Sequence, residues 1–217
     1  MAIGFDLPLS RPSKIVCVGR NYMAHAREMG NAVPDEPLLF LKPPSALLPP
    51  GAPIVLPRIS NQVEHEGEIA VIVGRRLRLA SEDEARDAIT HVLALNDVTA
   101  RDLQRSDPQW TRAKGFDTFC PVGPPVPVEA LRDRGLSLET LEITTHVNGE
   151  LRQHGRASDM VFSVPFLLAW ASGVMTLEPG DLLTTGSPEG VGPLADGDVV
   201  KVQIPGVSMV ENPVEAE

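Results

Sequence analysis

The chain has 217 residues, 42% of them apolar and 22% charged, which suits a globular protein with a sizeable core. The formal net charge of −10 argues against a nucleic acid partner, because a basic patch that could neutralise phosphates is missing. No apolar run approaches the roughly 18 residues of a membrane span. Residues 1–6 show no signal-peptide pattern, so we expect a soluble cytoplasmic protein without a membrane partner.

Short apolar segments separated by turns dominate the first part of the chain. Residues 14–18 predict a strand that runs into a turn at residues 19–22. Residues 38–42 and 54–56 predict two further strands.

A short helix is predicted at residues 23–29, where His25 and Glu28 are three residues apart and share one face. Such a pair could be a general base with its orienting carboxylate. It could equally be an exposed ion pair on a mobile segment.

The β-branched run at residues 69–73 predicts a strand buried on both faces. Three acidic residues precede it: Glu64, Glu66 and Glu68. On a continuous strand their side chains would point to one side, where they would repel each other. A bound cation would remove this repulsion; the alternative is a solvated strand end with ordinary acidic residues.

Next in the chain, residues 81–91 predict a helix that begins with a capping box. Residues 92–95 predict an apolar strand that ends close to Asp97, and residues 99–104 a short helix. Residues 110–119 predict a loop in which basic residues alternate with aromatic ones. Because the chain is acidic, a small anionic ligand is a better candidate for this loop than nucleic acid.

The last third is rich in strand signals. Residues 141–147 predict a strand followed by a two-residue hairpin turn at Asn148-Gly149. After a helix at residues 164–172, a strand opens into the glycine-rich turn 186–192, whose backbone N–H groups could hold an oxyanion. Strands outnumber helices, so we expect a β-rich α+β fold: a rolled or sandwiched mixed sheet with a few peripheral helices.

Four blocks of the sequence together resemble the fumarylacetoacetate hydrolase family in its small single-domain form. They are residues 18–22 with His25 and Glu28, residues 65–68, residues 96–102 with Trp110, residues 114–117 and Pro121, and residues 185–188 with 190–192. The resemblance covers residues 16–213. It implies one catalytic domain over residues 1–217, with residues 1–13 as a short N-terminal arm, and by analogy a homodimer.

The resemblance also implies a metal cofactor. Family members bind Mg²⁺ or Mn²⁺ through a Glu-x-Glu pair and a later aspartate, which match Glu66, Glu68 and Asp97 here. Glu64 lies outside the matched pair.

Further roles follow from the resemblance. His25 and Glu28 match the catalytic dyad of the family, and Lys114 matches a group that contacts the substrate and stabilises charge. The other implied substrate contacts are Arg20, Gln104, Thr185, Gly186 and Ser187. For Arg20 and Lys42, a role in orienting the loop is an equal alternative.

These residues suit a small 2-oxo or 1,3-diketo acid that chelates the metal through its keto and carboxylate oxygens. The leading hypothesis is a Mg²⁺- or Mn²⁺-dependent hydrolase that cleaves acylpyruvates to pyruvate and a carboxylate. Oxaloacetate decarboxylation and isomerisation or tautomerisation of hydroxymuconate-type compounds are alternatives on the same site. A metal-dependent binding protein without catalysis is the alternative of another class.

Overall fold

In this computed structural model, the described residues are 11–23 and 34–217. The strands within these ranges are β1 Ile15–Gly19, β2 Leu38–Lys42, β3 Leu47–Leu48, β4 Ile54–Leu56, β5 Val63–His65, β6 Gly67–Val73, β7 Ile89–Asn96, β8 Thr99–Ala100, β9 Cys120–Pro121, β10 Val126–Pro127, β11 Glu142–Val147, β12 Glu150–Arg156, β13 Leu182–Thr184, β14 Gly192–Pro193, β15 Val199–Ile204 and β16 Ser208–Ala216. The α-helices are α1 Glu82–Asp87, α2 Arg101–Ser106, α3 Thr111–Lys114, α4 Glu129–Arg132 and α5 Val164–Val174. Short 3₁₀ helices span Pro44–Ala46, Leu138–Thr140 and Ala157–Asp159.

The fold is built mainly from two large sheets, which confirms the expected β-rich α+β class. One has the strand order β10-β7-β6-β13-β1-β2, and the other β12-β11-β15-β16-β4. Both are mixed, because β1 pairs with β13 and β16 pairs with β4 in parallel while the remaining pairs are antiparallel. A small sheet, β14-β5-β8, lies next to the site described below.

Strand β6 is buried on both faces, as its apolar run predicts. Ile69 and Val71 pack into a core cluster that also contains Ile143 of the second sheet and residues of α5. Ala70 and Ile72 belong to a separate cluster on the other face. Because both faces are covered, the start of β6 is held rigidly, and the acidic residues there are fixed with it.

Several predicted elements differ from the structure. The predicted loop at residues 110–119 contains helix α3, and the first two residues of the helix predicted at 99–104 form β8, so that helix spans Arg101–Ser106. The strand expected to run through the three acidic residues breaks at Glu66, between β5 and β6. The helix predicted to reach residue 91 ends at Asp87, because Ile89 and His91 pair with β6 instead. The capping box at its start is confirmed.

None of the helices in the described ranges combines the length and the apolar character that crossing a bilayer requires. The two cysteines in these ranges, Cys17 and Cys120, are both buried and unpaired. Burial raises the pKa of Cys17 well above its usual value and that of Cys120 to about 12. Neither thiol is therefore a nucleophile at neutral pH.

Gly67 sits where β6 crosses the second sheet, and we expect Gly67→Ala to destabilise the protein by about 2–3 kcal/mol. A Cβ there would lie 2.0 Å from the Oγ1 atom of the buried Thr145. The control is Gly173→Ala in α5, where a Cβ meets no atom within 4 Å and should stabilise the helix by up to about 1 kcal/mol. Urea unfolding measures both; equal effects would contradict the prediction.

Candidate active site

Three buried carboxylates meet where β6 and β7 pair. The antiparallel register sets Gly67 opposite Asn96, and the Asp97 N–H donates to the Glu66 carbonyl over 2.8 Å. Glu66, Glu68 and Asp97 each offer a carboxylate oxygen, and these oxygens lie within 4.8 Å of one another. All three side chains are buried. The register therefore assembles a carboxylate triad from Glu66, Glu68 and Asp97.

Three buried cationic side chains contact this triad. Lys114 Nζ donates to Glu66 Oε2 over 2.8 Å and to Asp97 Oδ2 over 2.5 Å. Lys42 Nζ donates to Asp97 Oδ1 over 2.7 Å. Arg101 Nη2 donates to Glu66 Oε1. Lys42 thus orients a triad member, and Arg101 is a contact that sequence reasoning missed although it lies inside a matched block.

Glu64 lies outside the triad. Its Oε2 accepts from Arg101 Nε over 2.8 Å, and its Oε1 accepts from Gln62 Nε2 over 2.5 Å. The break at Glu66 directs Glu64 to this arginine instead of aligning it with Glu68. One guanidinium therefore bridges Glu64 and Glu66.

Lys114 holds a fixed positive charge. Burial alone would lower its pKa, but the carboxylates of Asp97 and Glu66 raise the pKa of Lys114 above its usual value. The ammonium also lies 4.9 Å from the ring centroid of Phe40. At neutral pH, Lys114 can stabilise a developing oxyanion but cannot act as a base.

Glu68 is the triad member whose charge is least well compensated. Burial and the neighbouring Asp97 raise the pKa of Glu68 well above its usual value. Its Oε2 accepts from the backbone N–H of Gly186 over 2.9 Å. A cation beside Glu68 would remove this penalty, and carboxylate oxygens are the ligands that Mg²⁺ and Mn²⁺ prefer. The triad therefore fits a divalent cation.

This raised pKa predicts how stability and metal binding depend on pH. Folded Glu68 holds its proton more tightly than the unfolded chain does. The metal-free protein should therefore lose stability as pH rises from the usual value of 4.5 through the folded pKa. Mg²⁺ must displace that proton, so its apparent affinity should rise about tenfold per pH unit in the same window.

Calorimetric titration of Mg²⁺ in buffers with different ionisation enthalpies counts the released protons. We expect the wild type to release close to one proton per Mg²⁺ bound below the folded pKa of Glu68. An affinity that does not change between pH 5 and pH 8 would contradict this prediction.

A cleft beside the triad contains about 470 Å³ of empty space, part of it open to solvent. Four of the predicted substrate contacts line it: Arg20, Gln104, Lys114 and Ser187. Phe40 and Trp110 form an apolar wall, with ring centroids 5.3 Å apart in an edge-on arrangement. Sequence reasoning missed this wall, although Trp110 lies in the predicted basic and aromatic loop.

Arg20 adopts an unusual backbone conformation at the mouth of this cleft. Its φ of 60° lies in the left-handed region, which residues other than glycine rarely occupy and which often marks functional positions. The neighbouring Asn21 holds the turn, since its Nδ2 donates to the carbonyls of Thr185 over 2.8 Å and Phe162 over 3.1 Å. Arg20 is therefore positioned by its neighbour.

The turn at residues 185–187, which the resemblance assigns to substrate contact, lines the cleft only in part. Thr185 Oγ1 donates to the Ile69 carbonyl over 2.9 Å, and the Gly186 N–H donates to Glu68. Ser187 lines the cleft. In this structure Thr185 and Gly186 support the triad, and their contact with a substrate stays a prediction.

Gln104 lines the cleft, and its amide oxygen accepts from Arg101 Nη1 over 2.5 Å, so its amide nitrogen takes no part in that hydrogen bond. The predicted dyad, His25 and Glu28, lies outside the described residues, so its role also stays a prediction.

Comparisons with known proteins identify the family of this chain. Residues 14–215 match the family model of the fumarylacetoacetate (FAA) hydrolase C-terminal domain. The mitochondrial oxaloacetate tautomerase FAHD1 of Bos taurus is 44% identical over 216 residues, which cover 96% of each chain.

Two solved structures from mycobacteria are similar in fold and sequence. The 5-carboxymethyl-2-hydroxymuconate delta-isomerase of Mycobacterium smegmatis superposes with a TM-score of 0.86 at 44% identity, covering 95% of this chain and 80% of that one. The 2-hydroxyhepta-2,4-diene-1,7-dioate isomerase of Mycobacterium marinum gives a TM-score of 0.85 at 45% identity, covering 95% and 76%. The chain described here belongs to the fumarylacetoacetate hydrolase family.

Proposed function

We propose that this chain is a Mg²⁺- or Mn²⁺-dependent enzyme that interconverts the keto and enol forms of oxaloacetate or a similar 2-oxo dicarboxylate. The observation that carries this proposal is a buried carboxylate triad beside an open cleft, in a chain 44% identical to an oxaloacetate tautomerase. By analogy with the family, we also propose that the protein is a homodimer.

The charge of the site supports an anionic substrate only together with a cation. Four carboxylates lie against three cationic groups: Glu64, Glu66, Glu68 and Asp97 against Lys42, Lys114 and Arg101. With every group ionised these seven groups carry one net negative charge, so the part of the cleft formed by the triad would repel a carboxylate. A dication reverses the sign, which explains how an acidic protein could bind a small dianion.

The triad would hold the metal, and when bound Mg²⁺ supplies Lewis-acid polarisation of a chelated 2-oxo group. Lys114 contributes a fixed ammonium beside the developing enolate oxygen. Arg20 at the cleft mouth is suited to the second carboxylate of the substrate, and Gln104 offers an amide donor. His25, oriented by Glu28, is the residue we propose to take the proton from C3 of the keto form.

A spectrophotometric assay tests this function. Crystalline enol oxaloacetate is diluted into buffer, and the loss of enol absorbance is followed with and without protein and Mg²⁺. We expect a protein-dependent rate that disappears with a chelator and returns with Mg²⁺ or Mn²⁺. A rate equal to that of buffer with Mg²⁺ alone would refute tautomerisation.

We expect Arg20 to bind the second carboxylate of the substrate. Arg20→Met should lower kcat/KM for oxaloacetate by about 10–100-fold, the value of a charge-assisted contact. For acetylpyruvate, which lacks that carboxylate, kcat/KM should change less than threefold. Steady-state assays with both substrates measure this. Equal losses on both would contradict a role in recognising the second carboxylate.

A second candidate is hydrolysis of acylpyruvates, which the His25 and Glu28 pair in the sequence favours because that pair could activate water. Incubation with acetylpyruvate or fumarylpyruvate, followed by product analysis, separates the two. Pyruvate and a carboxylate would support hydrolysis, whereas pyruvate and CO₂ from oxaloacetate would support decarboxylation. Tight binding of Mg²⁺ without turnover of any substrate would support the alternative that the chain is a metal-dependent binding protein without catalysis.

A further inference from the structure

Gln153 lies on β12 in the second sheet, but its side chain reaches the start of β6 and the turn that contains Ser187. Its Oε1 accepts from the Gly67 N–H over 2.9 Å and lies 3.1 Å from His65 Nδ1. Its Nε2 donates to Ser187 Oγ over 2.7 Å and to the Pro188 carbonyl over 2.8 Å. The amide is 1% exposed, so these contacts replace water completely.

Backbone groups fix the orientation of this amide. The Gly67 N–H can only donate, and the Pro188 carbonyl can only accept, so the oxygen and nitrogen of Gln153 cannot exchange places. The backbone at residue 67 is closely surrounded: a Cβ there would lie 2.0 Å from Thr145 Oγ1 and 3.4 Å from Gln153 Oε1.

The orientation of Gln153 sets the role of the Ser187 hydroxyl. Because Nε2 donates to one lone pair of Ser187 Oγ, the hydroxyl proton cannot point toward Gln153 and is directed to an acceptor elsewhere. The acceptors of that proton in the structure are distant, the Gly67 carbonyl at 3.2 Å and the Pro188 carbonyl at 3.4 Å. A carboxylate oxygen in the cleft, which Ser187 lines, is a better acceptor.

We propose that Gln153 is a positioning residue that makes Ser187 a hydrogen-bond donor to the substrate carboxylate, so that the cleft selects a carboxylate over a carboxamide. This rests on the proposed function, in which a 2-oxo acid occupies the cleft. A purely structural role, in which Gln153 only ties two loops together, is the competing explanation.

The test compares two small probes, oxalate and oxamate, on the Mn²⁺-loaded protein by calorimetry. Oxamate replaces one carboxylate by an amide. Gln153→Met should reduce the preference for oxalate over oxamate at least tenfold while Mn²⁺ affinity changes less than threefold. Gln153→Glu, which keeps the size, should reverse the Ser187 hydroxyl and shift the preference further toward oxamate.

A double-mutant cycle with Ser187→Ala separates the two explanations. If Gln153 acts through the hydroxyl, Gln153→Met should leave the oxalate-to-oxamate ratio of Ser187→Ala unchanged. An unchanged ratio in both Gln153 variants, or a further equal loss in the Ser187→Ala background, overturns the proposal. Oxalate binding without turnover of any 2-oxo acid would instead overturn the proposed reaction, while the ratio still decides the role of Gln153.

Discussion

Glu68→Gln is expected to abolish Mg²⁺-dependent activity, with a loss of at least about 100-fold in kcat/KM, and yet to stabilise the metal-free protein. Burial and Asp97 raise the pKa of Glu68, so ionisation of this carboxyl group opposes folding. Glutamine removes that charge and can still accept from the Gly186 N–H. We therefore expect the metal-free variant to have a higher free energy of unfolding than the wild type.

Thermal unfolding with and without MgCl₂ measures this effect. The wild type should unfold at a higher temperature when Mg²⁺ is added, because only the folded protein offers the site. Glu68→Gln should start from a higher Tm and show no Mg²⁺ shift. The matched control is Glu64→Gln, which loses its pairing with Arg101 and should be less stable while keeping the Mg²⁺ shift. A Glu68→Gln variant that is less stable, or that still responds to Mg²⁺, would contradict the assignment of Glu68.

Lys114→Met is expected to have the opposite effect on stability. Lys114 contacts both Glu66 and Asp97 in a buried site, and removing one partner of a buried ion pair costs about 3–5 kcal/mol. Activity should fall about 10²–10³-fold, the usual loss when an oxyanion-stabilising donor is removed. Mg²⁺ should restore part of the lost stability, since a dication can replace the missing charge.

Urea unfolding with and without Mg²⁺ tests this prediction, with Lys14→Met as the control. Lys14 pairs with the buried Asp181 over 2.5 Å, so its loss also breaks an ion pair, but at a site outside the triad. Lys14→Met should be destabilised without any extra rescue by Mg²⁺. If Mg²⁺ raised the free energy of unfolding equally in the two variants, Lys114 would not be the cation that balances the charge of the triad.

Local patterns in the sequence were sufficient for several elements. The hairpin at Asn148-Gly149 is confirmed, with φ angles of 53° and 82° that suit the predicted two-residue turn. The apolar run of β6 correctly indicated burial on both faces. These features depend on neighbours in the chain, where turn chemistry and side-chain period act directly.

Contacts between distant segments were not visible in the same way. The alternation of side chains along a strand implied that Glu64, Glu66 and Glu68 share one face. In the structure the strand breaks at Glu66, and Glu64 pairs with Arg101 instead. Gln153 lies 86 residues from Gly67, and no local pattern pairs them. Resemblance to a family supplied the candidate metal ligands, whereas the cations that balance them required the fold.

The central claim is that the triad of Glu66, Glu68 and Asp97 holds a divalent cation through which the cleft binds a 2-oxo acid. Calorimetric titration of oxalate, with and without Mg²⁺, tests it most directly. Because the site changes from net negative to net positive when a dication binds, oxalate should bind at least about 100-fold more tightly with Mg²⁺. Glu68→Gln should lose this difference. Oxalate affinity that is the same with Mg²⁺ and with a chelator would contradict the claim.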